Sequence, residues 1–288
     1  MANNLLRTRK NGEKLFIYDN IQTSDAFKGL VTNGAIPAQT LKELVRNCDV
    51  IISMVPASRH VRDLYLNSII PSLRKKSLLV DCSTIDPGIA RVVHAAAAAD
   101  SHIMLDAPVS GGVKGAEAGT LTFMIGSSLS KSDFETHLKS LFEPMGKAIY
   151  CGGPGVGQAV KISNNLILGA QMLGVAEGYK LAKVLGVDMK TFNEIVNSST
   201  GQCWTTSKYN PVPGVMEGVP ASKDYQGGFM TDLMIKDLGL ALDAAAQERV
   251  ELPVAKFSHS QYKEASSGGF GNLDFGSIFK WFTQKHYS

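Results

Sequence analysis

Two polar side chains on an otherwise apolar helical stretch could do chemistry. Lys161 and Asn165 lie four residues apart, so a helix places them on one face. A lysine in such a setting usually snorkels to the surface. Here Gly155, Gly157, Ser163 and Asn164 surround it, a polar cluster unusual for a core helix. A lysine held partly out of water is less inclined to keep its proton and can act as a general acid or base. A second group is the run Asp106-Ala-Pro-Val-Ser-Gly-Gly112. Ser110, Gly111 and Gly112 can present successive N–H groups, which suits a carboxylate. An ordinary tight turn accounts for these three residues equally well.

The elements that must position these groups follow from apolar patterning. Short apolar runs at 14–18, 49–55, 77–81, 103–106 and 121–125 end at Asp, Pro, Cys-Ser-Thr, Pro and Gly, and read as strands. Helical patterns at 38–47, 58–73, 87–99 and 131–145 lie between them. This alternation predicts an α/β domain over residues 1–150, with a doubly wound, Rossmann-like parallel sheet. From 151 to 288 the pattern is all helical. It includes one long helix over 156–185 and further helices near 188–197, 229–248 and 252–267. Residues 209–228 form a Pro- and Gly-rich loop whose length and aromatic content favour a functional role.

Asp19 ends the first strand pattern, where dinucleotide folds place an acid that binds the adenosine ribose. The glycine loop should precede that acid by about 20 residues, which falls ahead of Met1. The expectation is therefore an incomplete sheet lacking its first strand and glycine loop, in an N-terminally truncated chain that binds the dinucleotide poorly. Gly152-Gly-Pro-Gly-Val-Gly157 has the wrong spacing to serve as that loop, and reads as a hinge and helix start.

Composition excludes several classes. With 29 basic and 26 acidic residues, the net charge of +3 gives no electrostatic case for nucleic acid. No apolar run reaches the roughly 18 residues of a membrane span. The four cysteines form no C-x-x-C pair and suggest reduced thiols and no metal site. Arg7, Arg9 and Lys10 near the N-terminus read as an exposed helix end and not as a transit peptide.

The segments 106–119 (DAPVSGGVKGAEAG) and 152–165 (GGPGVGQAVKISNN) resemble the two signature segments of the β-hydroxyacid dehydrogenase family. The run 80–87 (VDCSTIDP) and Lys236-Asp-Leu238 fit its cofactor-side motifs. The loop 209–229 and Gly201-Gln-Cys-Trp204 are similar to the 3-hydroxyisobutyrate dehydrogenase branch. The resemblance implies that Lys161 is the catalytic lysine, that Asn165 holds substrate, and that Ser110, Gly111 and Gly112 grip its carboxylate. It also implies that Val55, Pro56 and Thr84 meet the nicotinamide side of NAD, that Lys236 closes over the cofactor, and that Asp19 favours NAD over NADP. His60 departs from the asparagine common at its position.

The implied activity is NAD-dependent oxidation of 3-hydroxyisobutyrate in valine breakdown, in mitochondria, by a homodimer or homotetramer. A truncated form real in the cell would be cytoplasmic. Two alternatives stay open: another β-hydroxyacid dehydrogenase, or an inactive form that only oligomerises.

Overall fold

The computed structural model describes residues 1–10 and 12–284. The chain divides into two compact units, Met1–Lys161 and Ile162–Ser288. The division falls inside the long helix, past the change of pattern expected at 151.

The first unit runs α1 (Ala2–Thr8), β1 (Phe16–Ile17), α2 (Asp25–Thr32), β2 (Ile36–Pro37), α3 (Leu41–Asn47), β3 (Val50–Ser53), α4 (Ser58–Leu64), β4 (Leu78–Asp81), α5 (Pro87–Ala99) and β5 (Ile103–Asp106). It continues with β6 (Val109–Ser110), α6 (Gly112–Ala118), β7 (Leu121–Ser127), α7 (Lys131–His137), β8 (Gly146–Gly152) and the start of α8 (Val156–Val184). Helix starts follow local chemistry. Thr40 Oγ1 accepts from Glu43 N at 3.1 Å, while Glu43 Oε2 accepts from Gln39 N at 2.8 Å. Asp86 caps α5 through Ile89 N at 2.9 Å, with Pro87 fixing the first turn.

Strands β3, β4 and β5 pair in parallel. Their side chains alternate between two cores. Ile51, Leu79 and Met104 face one cluster with Val61, Tyr65 and Val93 of the flanking helical segments. Val80 and Leu105 face the other, with Phe123, Phe134 and Phe142. Helices therefore cover both faces, as doubly wound sheets require. Full burial of each such side chain stabilises by about 1.5–3 kcal/mol.

The sheet is not wholly parallel, which corrects one expectation. Strand β7 runs antiparallel to β5 and β6, and β8 runs parallel to β7. The chain returns through β6 and α6, whose glycine turn reverses its direction before β7. Strands β1 and β2 form a separate parallel pair, apart from the six-stranded sheet that starts at β3.

The second unit is helical: the rest of α8, then α9 (Met189–Asn197), α10 (Trp204–Ser207), α11 (Thr231–Gln247), α12 (Pro253–Ala265) and α13 (Ile278–Gln284). Met172, Tyr179, Met234, Leu238, Tyr262 and Phe279 lie among its buried core residues. The Pro- and Gly-rich loop is ordered and contains a short 3-10 turn at Pro220–Lys223. Asp274 anchors it, accepting from Tyr209 Oη and Phe229 N, each at 2.8 Å. Gly228, at φ +74°, has no room for a side chain against Asp274 and Tyr209. Burial pushes the Asp274 carboxyl up to about 6. Among the described residues no helix is long and apolar enough to cross a membrane.

Candidate active site

Lys161 sits on α8, less than two turns from its N-terminus, and only 7% of its surface is exposed. That burial separates it from a solvated surface lysine. The start of α8 is held by Asp106, at the end of β5. Asp106 Oδ1 accepts from Gly155 N at 2.8 Å, and Oδ2 accepts from Gln158 N at 3.1 Å. A strand carboxylate thus satisfies N–H groups that a helix start leaves unpaired. His94 Nε2 lies 2.8 Å from Asp106 Oδ1, both groups fully buried. Gly157 is tight against the sheet, where a Cβ would strike Met124 O and lie 2.7 Å from Asp106 Oδ2.

Ser110, Gly111 and Gly112 form one turn, from the last residue of β6 into the first residue of α6. Gly111 and Gly112 have φ +132° and +63°, a region that L side chains rarely adopt. A Cβ on Gly111 would also lie 3.0 Å from Leu121 Cδ2. The turn therefore depends on both glycines.

Val55 and Pro56 follow β3, and Thr84 follows β4, at the carboxyl ends of adjacent parallel strands. Doubly wound sheets bind ligands at that edge. The two segments are tied together: Ser83 Oγ accepts from Val55 N at 2.8 Å and donates to Asp81 Oδ1 at 2.7 Å. Ser53 Oγ also donates to Asp81 Oδ1 at 2.8 Å and lies 2.7 Å from Tyr65 Oη. Asp19 follows β1, exposed, its Oδ1 accepting from Ile21 N at 2.7 Å.

Asp81 is buried with Oδ2 unpartnered. Desolvation, opposed by the serine hydrogen bonds, pushes its carboxyl up from 3.8 to about 6. The native state thus holds this proton to higher pH than the unfolded chain does. Stability from this group is full below about pH 4 and declines as pH rises through 6, by roughly 3 kcal/mol at most. We expect Asp81→Asn to abolish that component. Urea unfolding of both proteins at pH 4.5 and 7.5 should show the variant gaining on wild type by about 2 kcal/mol over that interval. A constant difference would contradict the assignment.

Helix α8 continues into the second unit, where Asn165 is buried. Its Nδ2 donates to Asp237 Oδ2 at 2.6 Å, and its Oδ1 accepts from Asn164 Nδ2 at 3.1 Å. Lys236, next to Asp237 on α11, brings Nζ to 3.2 Å from Asp237 Oδ1. That contact lacks hydrogen-bond geometry, since Oδ1 accepts none. The second unit thus groups Asn165, Asp237 and Lys236. The first groups Val55, Pro56 and Thr84 at one strand edge, with Lys161 on α8 and Ser110–Gly112 in their own turn. Asp19 stands on the separate β1–β2 pair. Sequence reasoning assigned no role to Gln158, Ser83 or His94. Gln158 lies three residues before Lys161 and so shares its helix face, a signal that could have raised it.

The cofactor fit can be tested on these residues. The carboxyl edge at Val55, Pro56 and Thr84 suits a nicotinamide, and Asp19 suits a ribose diol. His60, on the first turn of α4 just after Pro56, buries an Nδ1 that has no hydrogen-bond partner. A glycine turn for the pyrophosphate is not among the described residues. The nicotinamide and adenosine-ribose ends fit.

A doubly wound unit with these strand ends, followed by a helical unit, is an architecture that can take a dinucleotide at the carboxyl edge of its sheet. Residues 1–153 match the family model for the NAD binding domain of 6-phosphogluconate dehydrogenase. Residues 155–282 match the model described as NAD-binding of NADP-dependent 3-hydroxyisobutyrate dehydrogenase. The chain is 44% identical to an NAD-dependent L-serine dehydrogenase of Pseudomonas aeruginosa, over 98% of this chain and 93% of that protein. It is 40% identical to the mitochondrial 3-hydroxyisobutyrate dehydrogenase of Mus musculus, over 99% of this chain and 84% of that protein. A Mycobacterium tuberculosis 3-hydroxyisobutyrate dehydrogenase solved with L-serine superposes with a TM-score of 0.88 at 36% identity, covering 98% of this chain and 94% of that one. The chain belongs to the 3-hydroxyisobutyrate dehydrogenase family of NAD-dependent hydroxyacid dehydrogenases. Its cofactor is NAD.

Proposed function

We propose that the chain oxidises the primary hydroxyl of 3-hydroxyisobutyrate to the aldehyde of methylmalonate semialdehyde. The burial of Lys161 at the anchored start of α8 carries this reading. NAD, when bound, would supply the acceptor for the hydride on the carbinol carbon. Lys161 Nζ accepts the hydroxyl proton during oxidation and returns it during reduction. The Ser110–Gly112 turn offers backbone N–H groups to the carboxylate. Asn165 orients the substrate, its own amide fixed by Asp237. Val55, Pro56 and Thr84 would seat the nicotinamide, Lys236 would serve the cofactor, and Asp19 would disfavour a 2′-phosphate by charge repulsion. The loop 209–229 supports the assignment to this substrate.

L-Serine is the second reading, favoured by the Pseudomonas relative and by the solved complex. The two substrates share a carboxylate and a hydroxymethyl group on one carbon, and differ in a methyl against an ammonium. Steady-state turnover with NAD on both, and on glycerate, tests the proposal. A kcat/KM for 3-hydroxyisobutyrate below that for L-serine would reassign the substrate. The mouse and Dictyostelium relatives are mitochondrial by name, which supports that compartment, and the proposed substrate would place the chain in valine breakdown.

We also propose a homodimer or homotetramer. Leu181, Val184 and Leu185, at the end of α8, are 62%, 77% and 72% exposed, an apolar group that a second copy would cover. Light scattering coupled to size exclusion checks this. A monomer at micromolar concentration would refute it.

A further inference from the structure

The first unit contains a polar strut between the nicotinamide edge and the helix that bears Lys161. Gln158 is fully buried. Its side-chain amide is spent on the two peptide groups that flank Thr84. Nε2 donates to Ser83 O at 2.8 Å, and Oε1 accepts from Ile85 N at 3.0 Å. A primary amide matched to a donor and an acceptor in this way fixes both distance and orientation. The grip extends in both directions. Ser83 holds Val55 N–H on one side, so the turns after β3 and β4 move as one piece. On the other side, the backbone N–H of Gln158 is held by Asp106, so α8 cannot slide along its axis. Lys161 follows three residues later, on the same helix face.

We propose that Gln158 is a positioning residue that sets Lys161 at a fixed height above the nicotinamide edge. This rests on the reading of Lys161 as the proton acceptor. Oxidation of an alcohol removes a proton from oxygen and a hydride from the adjoining carbon, so the two acceptors must address one C–O unit together. Their separation is set by the protein alone, and a displacement on the order of 1 Å costs about 100-fold in rate. The strut is side chain to backbone, so it holds that separation whatever residue stands at position 84.

The test uses Gln158→Met, which keeps the length and removes the amide, and Gln158→Glu, which keeps an acceptor for Ile85 N–H. The first readout needs no cofactor. Amide hydrogen exchange at Ile85 should quicken in Gln158→Met and be intermediate in Gln158→Glu. The second is turnover with NAD and a substrate deuterated at the carbinol carbon. Gln158→Met should lose about 10- to 100-fold in kcat, with KM for the hydroxy acid within about threefold and the deuterium isotope effect on kcat raised. Gln158→Glu should again be intermediate.

Wild-type exchange at Ile85 would overturn the proposal. So would kcat per folded protein within about twofold of wild type with an unchanged isotope effect, since a merely stabilising residue lowers the folded fraction and nothing else. If Gln158→Met does not fold, Gln158→Glu carries the same comparisons. If wild type oxidises neither 3-hydroxyisobutyrate nor L-serine, the functional reading fails, and the exchange measurement alone decides whether the strut exists.

Discussion

Lys161→Ala is expected to lower kcat by about 10²- to 10⁴-fold, the usual worth of a positioned general base. KM should change little, because substrate binding is assigned to other residues. The expectation rests on where the lysine is. A lysine held out of water can act as a base, and Lys161 is buried on a helix start pinned by Asp106 and Gln158. The pinning matters because a general base is efficient only within hydrogen-bond reach of its proton. Stopped-flow and steady-state assays of both proteins would check it, with NADH binding measured alongside to show that the variant still holds cofactor. A variant that keeps wild-type turnover would remove Lys161 from the mechanism. Lys161→Arg should not rescue, since a guanidinium does not give up its proton at neutral pH.

Asp106→Ala should destabilise the first unit by about 3–5 kcal/mol, the range for removing one partner from a buried polar network. The substitution leaves Gly155 N–H, Gln158 N–H and the His94 imidazole without their acceptor in a dry interior. It also opens space beside Gly126, where the carboxylate occupies the volume a Cβ would need. Asp106→Asn keeps the shape but turns one acceptor into a donor facing a backbone N–H, so its loss should be smaller, about 1–3 kcal/mol. Urea unfolding followed by far-UV circular dichroism distinguishes them. An alanine variant within about 1 kcal/mol of wild type would show that α8 does not depend on this carboxylate.

Much of this arrangement is legible in the sequence, and the exceptions have physical causes. The span of α8 follows from apolar spacing, and α5 is bounded by Asp86-Pro87 as its cap demands. Ser110–Gly112 is visible as a turn because glycines at positive φ mark one. The reversal of β7 is not visible. Strand direction depends on the path through β6 and α6, a Gly-rich stretch with little apolar pattern, and periodicity carries no sign of direction. Strand β8, GKAIYCG, is also missed: its apolar run is only Ala148-Ile-Tyr-Cys151, flanked by glycine and lysine, and only Ala148 is buried. Asp106 and Gln158 stand in recognisable segments, yet their roles come from partners far along the chain. His94 lies 12 residues from Asp106, Gly155 lies 49, and Ser83 lies 75 from Gln158. A glutamine on a helix reads as solvated until the fold closes around it.

The loop over 209–229 has an implication for how such a protein can be altered. It looks like an appendage in composition, rich in proline and glycine, yet Asp274 ties it into the helical core through Tyr209 and Phe229. Trp204 stacks on Tyr209 at 4.8 Å, and Tyr209 stacks in turn on Phe275 at 5.8 Å. Exchanging this segment for a relative's is therefore not a cut at two ends. Tyr209, Gly228 and Asp274 would have to travel as a set, and any graft that separates them trades a new loop sequence against the folding of the whole helical unit.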